Sequence, residues 1–357
     1  MRPVVAGASA PLRRATVLPT LDLIVQPGLS PRESLAADRQ LLDEAPGGRA
    51  ALRVYDLAGE TLSLGRYHLA PEPVAAGDVT VWRRRSGGRA MPWGAGFIGL
   101  SLVLPHRSWL EADDPFALAP EQVMNRCVRG LLEACELSGV PVLYPGRDAI
   151  TVQRRLLALV SFEVEASGAL VFEAVLAAAR DFSVLPVLLD RADPSGVVKS
   201  GMLTAEDTTS LARLLGSAPD TAEMARRLRR GYEGRLGLRF EERTLGAGAP
   251  FDDASWLRER RLAAGVDRHA SVATQLGVLD AHLAVAGDRL VEVVLAGDFI
   301  ANSSAIARLE EELRGCPARP DVVEAAVAAV FTAPENFVLG VGPSRTVTDV
   351  IVKALAT

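Results

Sequence analysis

Residues 83–96, RRRSGGRAMPWGAG, hold the densest set of groups able to do chemistry. Arg83, Arg84, Arg85 and Arg89 bracket Ser86, Gly87 and Gly88, and a Pro-Trp pair ending at Trp93 follows. Each arginine is always charged and carries a planar fork of five N–H donors. Glycine lets the backbone approach a partner closely. Together they suit an anion, with backbone amides and guanidinium groups around a phosphate. Two other readings stay open: a solvated surface loop and a nucleic-acid contact. The spacing is not that of a Walker A loop, which needs Lys and Ser/Thr after the glycines, nor of a dinucleotide fingerprint. The acidic balance, 39 basic against 44 acidic residues for a net charge of −5, speaks against nucleic acid.

Other reactive residue types are sparse. His68, His106, His269 and His282 are scattered without metal-ligand spacing, so no metal site is expected. Cys127, Cys135 and Cys316 form no framework, and an odd count fits a reducing cytoplasm. Glu163, Glu165 and Glu173 alternate with apolar residues, the pattern of a solvated sheet face. The basic run at 226–230 reads as a solvated helix face or a landing place for an acidic carrier domain.

These groups need a scaffold, and the chain has the length and apolar content for one or two cores: 357 residues, 49% apolar and 23% charged. No stretch is apolar over the ~18 residues that a membrane span requires, and the N-terminal residues lack a secretory h-region. Residues 1–18 read as a loose arm. Strand-like runs occur at 21–26, 51–57, 60–67, 79–85 and 97–105, then at 149–152, 155–166, 169–177 and 182–190. Ser30-Pro31 opens a helix, and further helices are expected at 120–138, 205–215 and 219–233. A Gly/Ala/Pro-rich aperiodic stretch, 241–255, reads as a linker. Beyond it come a hairpin turning at Gly287-Asp288 and helices at 303–315, 320–332 and the C-terminal tail. The expected class is α+β: a mixed, largely antiparallel sheet with helices, then a small α+β unit.

Several segments also resemble one family. The run RRRSGGRAMPWGAGFIGLSLVLP is similar to the RRxSGGRA segment of lipoate–protein ligases, in the biotin/lipoate ligase superfamily, through Arg83, Arg84, Ser86, Gly87, Gly88, Arg89, Ala90, Ser101 and Pro105. LRVYDLAGETLSLGRYH resembles the family's upstream segment, YPGRDAI its "grNDI" segment, and AGDFI with RLEEELRG its accessory domain. The resemblance implies a ligase-like part over 19–245, a linker over 246–262 and an accessory part over 263–357. It implies activation of a lipoate- or octanoate-like acid by ATP and Mg2+ as an acyl-adenylate, and transfer to a lysine of a lipoyl-carrier domain. Arg83, Arg84, Ser86, Gly87, Gly88, Arg89, Trp93, Ser101 and His68 would line the site. A non-catalytic acyl- or nucleotide-binding relative, and a ligase for a different acid, are the alternatives.

The pattern departs at two places. The family lysine falls on Leu156 and the glycine after it on Leu159, so the charge would have to come from Arg155 or from Lys199. The family histidine is Trp93. A thioester route is not expected, because Ser200 stands where related octanoyl transferases carry cysteine.

Overall fold

The computed structural model describes residues 19–72, 79–110, 119–193, 196, 198, 204–246 and 248–357. The expected N-terminal arm, Lys199 and Ser200 lie outside them.

A seven-stranded sheet forms the larger part. In spatial order it runs β10 (Arg239–Glu242), β1 (Thr20–Leu29), β2 (Ala51–Leu57), β6 (Phe97–Leu104), β9 (Leu170–Ala177), β8 (Arg155–Val164) and β7 (Ala149–Val152). The two pairings made by β1 are parallel and the other four are antiparallel. One face packs on α2 (Pro120–Glu136) and α5 (Thr221–Leu236) through Leu52, Leu100, Leu102, Phe172 and Val160. The helices meet tightly because Gly130 and Gly231 admit Tyr232 and the α2 backbone between them. The other face receives α1 (Pro31–Glu44), which starts in a full capping box between Ser30 and Glu33. It also receives a small sheet of β3 (Thr61–Leu64), β4 (Thr80–Arg83) and β5 (Met91–Trp93).

A second core lies toward the C-terminus. The hairpin β12 (Val278–Ala286) and β13 (Arg289–Gly297) pairs with β11 (Arg268–Ala273), and its apolar face is covered by α7 (Ser303–Leu313), α8 (Pro320–Phe331) and α9 (Arg345–Leu355). A two-stranded ladder of β14 (Ile300–Ala301) and β15 (Val338–Leu339) lies against β8 and joins the two cores.

One strand expectation fails. Residues 182–190 form a 3-10 turn and then α3 (Leu185–Ala192). Asp181 accepts the Ser183 amide at 3.1 Å, Pro186 stands in the first turn, and Leu185, Leu188 and Ala192 bury one helical stripe. A short apolar run has no period strong enough to separate the two outcomes. The helix expected at 205–215 shrinks to α4 (Leu211–Leu215), because Thr208 bridges to Leu156 instead. The aperiodic stretch takes in the end of β10 and the start of α6 (Asp253–Leu257); β10 pairs with β1 and α6 packs on β4.

Candidate functional site

The sheet face that carries α1 also carries the arginine–glycine loop. Strand register lays a polar row across it: Arg53 pairs with Ser101, Ser101 with Glu173, and Glu173 with Ser161. All four side chains are buried. Arg53 forms an ion pair with Asp38 at 2.8 Å and donates to Ser34 Oγ at 2.9 Å. Glu173 accepts the Ser86 amide at 2.7 Å, and Ser161 Oγ donates to the Gly87 carbonyl at 2.8 Å. Burial raises the Glu173 pKa, the Asp38 charge adds to that, and Arg84 opposes it. Glu163, one pleat along, is also buried. It accepts the Ser303 amide at 2.7 Å, and burial pushes its pKa up to about 8. The expectation of a solvated face therefore fails for Glu163 and Glu173. Period-two alternation shows that they share a face, not whether a loop covers it.

The three arginines do not converge on one open spot. Arg83 is fully buried and donates to the carbonyls of Gly65 (3.0 Å), Arg66 (2.9 Å), His68 (2.6 Å), Trp256 (3.3 Å) and Leu257 (2.8 Å). Trp256 and Leu257 end α6, where carbonyls lack helical partners and a cation is favoured. Arg84 is buried as well, donating from Nε to Ser86 Oγ at 3.2 Å and from Nη2 to the Gly87 carbonyl. Desolvation lowers the Arg83 pKa to about 9 and that of Arg84 to about 10. Arg89 alone meets a carboxylate, a two-pronged pair with Asp148 at 2.7 Å on each prong. The loop amides are engaged too. Besides the Ser86–Glu173 bond, the Gly88 amide donates to the Phe299 carbonyl at 2.7 Å. Gly87 lies so close to that carbonyl that a Cβ would stand 2.3 Å from it. Buried donors must find acceptors, and here protein oxygens serve Arg83, Arg84 and the Ser86 and Gly88 amides.

His68 and Ser101 are interior residues. The His68 Nδ1 accepts the Gly65 amide at 3.0 Å, so Nε2 holds the proton and donates to Asp298 at 2.9 Å. Ser101 lies in the polar row, 3.5 Å from Arg53 Nη2.

The residues that break the family pattern meet in one place. Trp93, Leu156 and Leu159 belong to a single buried cluster with Tyr55, Trp82, Phe97 and Phe182. Trp93 stacks on Tyr55 at 5.3 Å with 16° between planes, tilts against Trp82 at 5.7 Å, and donates from Nε1 to Ser63 Oγ at 2.9 Å. Beneath them is Gly99, in register with Tyr55, where a Cβ would stand 2.5 Å from the Trp93 ring. Arg155 is exposed at the β7–β8 hairpin. That turn holds Gln153 at φ 48° and Arg154 at φ 70°, the positive dihedrals of a tight hairpin usually built with Asn or Gly.

Beside this region lies a cavity of about 400 Å3 between the main sheet and the C-terminal core. Met124, Tyr144 and Asp148 line one side and Leu276, Ile300 and Gly340 the other, with Arg147 exposed at the rim. Asp148 brings its Arg89 pair to this wall. Two of the scattered histidines also come together. The β11–β12 register sets His269 opposite His282 and Ser271 opposite Asp280. The edge strand β11 carried too weak an alternation to be recognised in the sequence, so this meeting was missed. The polar row did leave a trace there, as one polar residue of matching parity in each of four apolar runs.

No family model matches the chain, and no curated protein does. Solved structures do. LipL1 of P. falciparum in complex with lipoate superposes with a TM-score of 0.65 over 94% of this chain and 99% of that one, at 10% identity. A bipartite lipoate protein ligase of Thermoplasma acidophilum, described with its E2 lipoyl domain as an archaeal lipoylation system, gives 0.50 over 68% of this chain and 92% of that one, at 17% identity. The fold is that of these lipoate ligase structures, as the resemblance implies, in the α+β arrangement expected. No helix among the described residues is long and apolar enough to cross a membrane.

Proposed function

We propose that this chain is a ligase-fold protein that has given up family-type acyl transfer and binds a small ligand in the cleft at Asp148. One observation carries the reading: Leu156, Leu159 and Trp93, at the family's lysine, glycine and histidine places, pack into one closed aromatic cluster. A cationic side chain cannot reach an acyl phosphate through that cluster, and an acyl chain cannot enter it without displacing Trp93. The loop does not fit a nucleotide phosphate either, because Arg83, Arg84 and the Ser86 and Gly88 amides already have partners. Nor does it fit Mg2+: Glu173 is committed to Ser86, and Asp148 to Arg89. On this reading 19–245 is the ligase-like part, 246–262 a packed connector and 263–357 the accessory part.

The cleft has the volume of a small-molecule site and an apolar wall with few polar groups. Arg147 at its rim favours a carboxylic acid or another small anion. A second reading keeps the ligase chemistry: ATP activates a lipoate- or octanoate-like acid in this cleft, for transfer to a lipoyl-carrier domain in the cytoplasm. It is favoured by the position of Asp148, where the resemblance puts the "grNDI" segment. Lys199 or Arg155 would then supply the charge.

Pyrophosphate exchange with ATP and a panel of lipoate, octanoate and biotin separates the two. The proposal expects no exchange, with thermal stabilisation by a ligand that Arg147→Ala weakens. Exchange with any acid, abolished by Lys199→Ala, would establish the second reading and overturn the first.

A further inference from the structure

Outside the ligase-like site, the β11–β12 ladder gathers three metal-ligating side chains. We propose that His269, Asp280 and His282 form a binding site for a divalent late-transition metal ion, with Zn2+ as its representative. One ligand atom from each residue lies within 4.8 Å of those of the other two. The two imidazole rings stack across the strands at 4.4 Å with 22° between planes. Asp280 is buried, with Oδ1 3.2 Å from His269 Nε2, and it accepts a hydrogen bond from Ser271 Oγ.

Register produces the arrangement. His269 and His282 are directly opposed, and Asp280 lies one pleat along on the same face, where side chains of an antiparallel pair come closest. A tetrahedral ion at ~2.0–2.1 Å from each nitrogen needs its ligand atoms roughly 3.4 Å apart. Small rotations of the two imidazoles supply the remaining closure. Two imidazoles and one carboxylate suit zinc, cobalt, nickel or copper, whereas magnesium and calcium select oxygen. Ser271 would orient the carboxylate from the outer shell. The His269 side chain is 42% exposed, which gives the ion an entry route and leaves the fourth position to water. Because β11 is an edge strand, the ion would cross-link that edge to β12.

The test uses the full chain, stripped with a chelator and titrated with Zn2+ by calorimetry, and with Co2+ as a spectroscopic probe. We expect one saturable ion per chain, a tetrahedral cobalt spectrum, and shifts in the His269 and His282 imidazole resonances. His269→Ala and His282→Ala should each weaken binding by at least about tenfold, the lower end of what loss of an outer-shell partner costs. Cys316→Ser should leave it unchanged. His269 is exposed, so its variant keeps the fold and decides the matter if the His282 variant does not. Absence of saturable binding, or binding that His269→Ala leaves intact, overturns the proposal.

Discussion

Trp93→Ala is the perturbation on which the closed-cluster reading turns. The side chain is 1% exposed and fills the space above Gly99 between Tyr55 and Trp82. Removing a buried tryptophan costs about 3–5 kcal/mol in transfer and cavity terms. Losing the indole hydrogen bond to Ser63 Oγ adds about 1 kcal/mol, moderated because that hydroxyl also donates to the Met91 carbonyl at 3.4 Å. The expected loss is therefore about 4–6 kcal/mol. With unfolding entropy near ~2.1 cal/mol/K per residue over 357 residues, each kcal/mol shifts Tm by about 1.3 °C, a fall of roughly 5–8 °C. Calorimetry and urea titration measure it. The vacated space is apolar and should stay dry, so indole should restore much of the loss in the variant and do nothing to the parent chain. A loss under about 1 kcal/mol would show that Trp93 lines an open tunnel. So would stabilisation of the parent by octanoate that disappears in the variant.

The buried Glu163 makes stability depend on pH. Its folded pKa, about 8, lies above the ordinary value of 4.5, so it contributes fully below pH 4.5 and the contribution is lost as pH rises toward 8. Urea midpoints should fall across that window in the parent and stay flatter in Glu163→Gln; equal slopes would refute the assignment. Replacing Gln153-Arg154 by Asn-Gly relieves two positive-φ residues and should raise stability by about 1–3 kcal/mol, read from the urea midpoint. Arg83→Lys keeps the charge but cannot reach five carbonyls at once, and should cost roughly 3 kcal/mol by the same measurement.

Local signals carried most of the fold. The Ser30-Pro31 helix start, the turn at Gly287-Asp288 and the alternation in β8 and β9 each act over a few residues, and each appears where the sequence places it. The failures come from tertiary context. Residues 182–190 are apolar enough for either element, and only packing of Leu185 and Leu188 decides for a helix. The site was half legible. The residues that break the ligase pattern were visible one by one, as Trp93, Leu156 and Leu159. That they join one cluster depends on register between β3 and β5 and across β6, β9 and β8, which no single segment encodes. The partners of the loop were not legible for a related reason: arginines beside glycines signal an anion, and only the folded chain shows that Arg83 and Arg84 donate to protein oxygens.

The aromatic packing around Leu156 also constrains what sequence change could undo it. A lysine introduced there alone would place its ammonium among rings and aliphatic groups, and desolvation would drive it toward the neutral form. A histidine at 93 alone would leave Gly99 and Tyr55 without the ring that spans them. Neither change is favourable by itself, so a cation at 156 in a usable setting requires several replacements around it at once.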